Sequence, residues 1–142
     1  MLCKLELNGK DIIAEGPVFG CNRAFGDNDR WMIDGSPWGE DRKAGGVYSR
    51  GLTQLSYHAR PIRVERGENG SVLLVVTVEV TGGKSASFTH VAEWVVRPDG
   101  TVSVKNSVTP HGTMPPAIAR MGLSMKLDRS LEHLKYYGRG PR

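Results

Sequence analysis

Five acidic residues lie close together in a glycine-rich stretch: Asp27 and Asp29 around Asn28, then Asp34, then Glu40 and Asp41. Hydrolysis by paired carboxylates needs two such acids about 5 to 9 Å apart, in a pocket that separates their pKa values. This stretch offers no obvious apolar pocket to raise one of them. Asp and Asn in such surroundings more often bond nearby backbone groups as turn formers or helix caps. The Asp27-Asn28-Asp29 triplet also resembles the start of a calcium loop, whose oxygen ligands recur at alternate positions through 12 residues with glycine at the sixth. Here Trp31, Met32 and Ile33 occupy the middle, so no metal is expected. The four histidines, His58, His90, His111 and His133, are widely spaced and none stands beside a serine or cysteine in a nucleophile turn. His90 reads as a core or sheet-face residue. Trp31, Trp38 and Trp94 could offer indole faces to a sugar ring. Trp94 is in phase with Phe88 and Val96 and reads as core, which leaves Trp31 and Trp38 as the substrate-binding candidates.

The elements that must position these residues are predicted to be strands. Cys3, Leu5 and Leu7 alternate with Lys4 and Glu6, and Asn8-Gly9 is a dipeptide favoured in type I′ turns, so residues 2–14 read as a hairpin. Gly16-Pro17 is expected to break the pattern and open a long surface loop to about Gly51, with one helical turn near Asp41 to Ala44. Strands follow at Gln54 to Val64, at Ser71 to Val80 with both faces covered, at Ser85 to Arg97, and at Thr101 to Thr109. Turns at Arg66 to Gly70, Gly82-Gly83 and Asp99-Gly100 separate them. Beyond a break at Pro110 to Pro116, the alternation of Ala117, Ala119, Met121, Leu123, Met125 and Leu127 predicts a strand with one wet face. Leu131 to Tyr137 is expected to add another. Many short strands without an amphipathic helix argue for an all-β, antiparallel β-sandwich.

Composition bounds the function. A chain of 142 residues suffices for one domain. The net charge of +4 is spread along it, and its densest basic stretch, Arg60 to Arg66, is interrupted by Pro61, Ile62 and Glu65. A nucleic-acid groove needs a concentrated basic stripe with stacking aromatics, so no nucleic-acid partner is expected. No apolar run is long enough for a membrane span. Cys3 and Cys21 fit neither a disulfide framework nor a zinc site and read as free thiols.

Two segments resemble the C-terminal domain of the large, lacZ-type β-galactosidases of glycoside hydrolase family 2. Gly16-Pro17 followed by Asn22-Arg23-Ala24-Phe25-Gly26-Asp27-Asn28-Asp29-Arg30 is similar to the family's G-P…W-R-A-P-T-D-N-D stretch. Arg120-Met121-Gly122-Leu123 and then Tyr136-Tyr137-Gly138-Arg139-Gly140-Pro141 resemble its P-R-[IV]-G-L…W-Y-G-R-G-P-x-E-N-Y-x-D-R. Asn22 departs from the family's Trp, and Phe25-Gly26 from its Pro-Thr, which puts the detailed packing of the first loop in question. The sequence stops at Arg142, inside the second motif, so the chain is expected to be an excised piece of a larger protein.

The resemblance implies a galactose-mutarotase-like supersandwich, of which residues 1–142 would be the first half as a single-domain fragment. It implies a parent that hydrolyses terminal β-D-galactosides with retention, using two glutamates in another domain. Magnesium and a monovalent cation would be bound in other domains too, with no cofactor in this fragment. Arg23, Asp27, Asn28, Asp29, Arg120, Gly122, Tyr137, Gly138, Gly140 and Pro141 are then structural motif residues. No catalytic residue is expected here, and the partners would be the parent's remaining domains. The alternative is a carbohydrate-binding β-sandwich module that uses Trp31 or Trp38. An open sheet edge and an uncovered apolar face also predict that the fragment self-associates. The compartment, cytoplasm or periplasm, stays open.

Overall fold

A computed structural model describes residues 5–7, 9–21, 23–24, 51–82, 85–115, 118 and 120–139. The described residues form two antiparallel sheets packed as a sandwich, with no α-helix among them. The smaller sheet has the order β1-β2-β8, from Leu5–Leu7, Lys10–Gly20 and Gly122–Leu127. The larger follows β3-β5-β6-β7, from Ser56–Ala59, Val72–Thr81, Ala86–Val96 and Val102–Gly112. Its fifth strand, β4 (Arg63–Arg66), shares with β3 one edge of β5.

The larger sheet follows its sequence pattern closely. β5 and β6 pair without a register shift from Val72↔Val96 to Thr81↔Ser87, and β6 and β7 from Val96↔Val102 to Ala86↔Gly112. Strict alternation buries Ala86, Phe88, His90, Ala92 and Trp94 on one face of β6, as expected from their spacing. β5 is also continuous, but only its inward face reaches full burial, at Val76 and Val80, and its outward residues are half-buried. Asp99 closes the turn into β7 by accepting the Thr101 backbone N–H at 2.8 Å.

Several boundaries differ from the sequence expectation. The strand expected over Gln54 to Val64 is split, because Arg60-Pro61-Ile62 interrupts the ladder and proline has no N–H to give it. β7 runs through Pro110 to Gly112, which an edge strand tolerates since one side of its backbone needs no partner. Gly16-Pro17 does not end β2. The strand continues to Gly20, with register shifts between Ile13 and Glu15 and between Glu15 and Val18. Gly16 lies at φ +91°, where its missing side chain lets β8 pass: a Cβ there would stand 2.7 Å from the Ser124 carbonyl oxygen. The surface loop thus begins later than expected, and Cys21 and Leu52 are core residues. The helical turn expected near Asp41 lies outside the described residues.

The C-terminal stretch departs most. The expected Ala117 to Leu127 strand shortens to β8, and of its described apolar positions only Leu123 packs against a core cluster, while Met121, Met125 and Leu127 are exposed. Leu131 to Tyr137 forms no strand. A turn bonding the Leu131 N–H to the Asp128 carbonyl sends the chain away from the sheet, leaving Leu134, Tyr136 and Tyr137 exposed.

Between the sheets lie two apolar clusters. Phe19, Cys21, Leu52, Val80, Ala86 and Phe88 form one, in which the Phe19 and Phe88 rings meet at 5.2 Å and 59°, a tilted geometry favoured by their quadrupoles. Ile13, Val76, Ala92 and Trp94 form the other.

Candidate functional site

The two clusters share Val78, which packs against both. Between them is a cavity of about 250 Å³, walled by the β2 segment Pro17 to Phe19 on one side and by inward residues of β3, β5 and β6 on the other. The irregular register of β2 explains the gap, because the shift around Gly16-Pro17 presents only Pro17 and Val18 where a regular strand would fill the space.

Its lining is almost wholly aliphatic and aromatic, and the polar atoms of its side chains belong to Tyr57, His90 and the Trp94 indole. Tyr57, at the rim, donates its hydroxyl to the Phe19 carbonyl at 2.8 Å, a bond that ties β3 of one sheet to β2 of the other. Burial raises the Tyr57 phenol above its ordinary range, and the nearby Cys21 thiol adds to the effect. His90 is 5% exposed, the one buried polar residue among those described. Its Nε2 lies 3.0 Å from Asn106 Oδ1, an arrangement that suits the tautomer with the proton on Nε2. The Phe19 ring rests at 5.8 Å from the imidazole. Cys21 is a free buried thiol, raised by burial against the lowering of its backbone hydrogen bond.

No carboxylate lines this cavity, and among the described residues no group of three or more His, Cys, Asp or Glu could hold a metal ion. The arrangement favours a neutral apolar guest over charged chemistry, because desolvating an unpaired ion costs far more than a cavity wall of this kind returns. The outer face of the larger sheet carries the polar network instead. Arg60 pairs with Glu79 at 2.8 Å, Glu79 accepts the Thr89 hydroxyl at 2.9 Å, and His111 Nε2 stands 2.8 Å from the same hydroxyl. Arg63 pairs with Glu65 at 3.1 Å. Two arginines of the basic stretch, Arg60 and Arg63, are thus matched by acids.

The candidate residues of the sequence analysis do not converge here. Trp31, Trp38, Asp27, Asn28, Asp29, Gly140 and Pro141 lie outside the described residues, as does Cys3. Arg23 is exposed and donates to the Ala24 carbonyl at 3.1 Å. Arg120 is exposed near Gly122, which pairs with Gly20 at the end of the β2-β8 ladder. Tyr137 is fully exposed, and Gly138 has open space where a side chain would stand. Trp94 and His90 are core, as their phase indicated. Sequence reasoning missed Phe19, Tyr57 and Asn106. The Tyr57/Ala59 alternation was a usable signal for Tyr57, whereas Phe19 was masked by reading Gly16-Pro17 as a break.

A search of curated proteins and of solved structures gave no match. The family model described as beta galactosidase small chain matches residues 1–142. With that match spanning both motif segments and the sandwich between them, the chain belongs to the β-galactosidase small chain family.

Proposed function

We propose that this β-galactosidase domain is a non-catalytic, structural part of an enzyme that hydrolyses terminal β-D-galactosides with retention, and that residues 1–142 make up the first half of its supersandwich. The observation that carries this is the family match over residues 1–142. The two glutamates, the magnesium and the monovalent cation belong to other domains in this reading. Arg23, Asp27, Asn28 and Asp29, with Arg120, Gly122, Tyr137, Gly138, Gly140 and Pro141, shape loops that meet those domains.

The exposed Met121, Met125 and Leu127 along edge strand β8 are the surface on which the parent's other domains rest. In their absence a second copy covers it, giving a concentration-dependent oligomer in sedimentation. A strict monomer at millimolar concentration would remove the self-association part of the reading.

The central test is activity. The chain alone should leave an aryl β-galactoside at the uncatalysed rate, and galactose should give no saturable change in tryptophan fluorescence. Hydrolysis abolished by Asp27→Ala or Asp29→Ala would overturn the proposal. Saturable galactose binding lost with Trp31→Ala or Trp38→Ala would replace it with a carbohydrate-binding module.

A further inference from the structure

The cavity between the core clusters has one feature an ordinary packing defect lacks, a buried hydrogen-bonding atom with nothing to bond. In the tautomer that lets Nε2 donate to Asn106 Oδ1, Nδ1 is left as an acceptor, and no other hydrogen bond to the His90 side chain is found among the described residues. A buried polar group without a partner is costly, so the site gains from any guest that supplies a donor. Water is a poor candidate. An ordered buried water takes about three hydrogen bonds, and besides His90 the wall offers only the Trp94 indole N–H and the Tyr57 hydroxyl, which already donates to Phe19, among the side chains described.

We propose that this cavity is a binding site for a small neutral molecule of the phenol class, one apolar ring carrying one hydroxyl, whose O–H donates to His90 Nδ1. The ring packs against Val76, Val78, Ala92 and Trp94, and Pro17 closes it from the β2 side. The volume suits one substituted ring, since engineered apolar cavities of about 150 Å³ already admit benzene. Phe19 beside the imidazole and Asn106 on its far nitrogen hold both the ring orientation and the tautomer before any ligand arrives. This goes beyond the structural role proposed above and does not rest on it: the site requires only the two described sheets.

The test uses the full chain and four probes, phenol, anisole, toluene and benzene, titrated by NMR on the valine methyls and the histidine ring nitrogens. Phenol should shift Val76 and Val78 methyls and His90 Nδ1, leave Nε2 bonded, and bind about ten-fold tighter than anisole, the difference one hydrogen bond makes. His90→Leu should erase the preference for phenol while benzene still binds, and Ala92→Leu, by filling the space, should weaken all four. Equal affinity for phenol and anisole in the unmodified chain would show that the imidazole takes no part and would overturn the proposal. So would shifts that map to the surface of β8, or no saturation with any probe. The comparison of probes needs no variant, so a destabilised His90→Leu does not shelter the idea.

Discussion

The two sheets of this molecule solve the same problem unequally. In the larger one, β5, β6 and β7 run without a register shift, and burial alternates residue by residue along β6. In the smaller one, β2 changes register twice against β8, and β8 has exposed apolar side chains at Met125 and Leu127. The lesson is that an alternating sequence makes a strand but does not by itself make a core. A face is buried only where a second layer lies over it, and the smaller sheet covers only part of the larger. Val64 and Val104, in the same cross-strand row as the buried Trp94, remain exposed.

The contrast is tested most severely by deleting side chains from each sheet. Phe88→Ala removes a ring that is 1% exposed and packed at a tilt against Phe19, and should cost about 4 kcal/mol in denaturant unfolding. Met125→Ala in β8 should change stability by less than about 0.5 kcal/mol, since a surface position has little to lose. Comparable losses at the two positions would mean that the β8 stripe is core after all. Gly16→Ala probes the irregular strand: the positive φ and the close Ser124 carbonyl should make it cost about 2 kcal/mol. Tyr57→Phe removes the bond between the sheets and should cost about 1 kcal/mol while leaving each ladder intact by amide exchange.

The smallest effects are electrostatic. Cys21 and Tyr57 both have folded pKa values raised mainly by burial, so the unfolded chain releases these protons first. Their contribution is therefore whole below the ordinary thiol range and declines as pH rises above about 9. Melting temperature should fall in that window, with the early part of the fall absent in Cys21→Ala. Asp99 and Asp128 act with opposite sign. The Thr101 backbone N–H lowers the first, and the Ser130 hydroxyl and then its N–H lower the second, so their contribution is present above the usual carboxylate range and lost on acidification.

The fold was legible where local pattern and layer agreed. β6 was readable because Phe88, His90 and Trp94 alternate and are also covered, and the turn at Gly9 was readable because its φ of +76° suits glycine. It was illegible where the deciding contact is remote in sequence. Gly16-Pro17 reads locally as a stop, yet β8, more than a hundred residues on, holds the strand in place. The cavity was hidden for the same reason: Tyr57 and His90 reach its wall from two strands, Asn106 holds His90 from a third, and only the register brings the three together. The family, in contrast, was legible from the two motif segments, because short motifs survive whatever the packing between them does.

Pro110 on β7 has one more consequence, together with the break at Arg60-Pro61-Ile62 on the opposite border of the larger sheet. A foreign strand docking along either border meets a missing N–H or an interrupted ladder, so neither is a good template for cross-β growth. β8 offers an incoming strand an unbroken run of peptide groups from Gly122 to Leu127, flanked by methionines. Fibril formation by this chain is therefore expected to be directional. It should begin at the smaller sheet and recruit β2 and β8 into the protease-resistant core, with the larger sheet left decorating the fibre as a folded passenger.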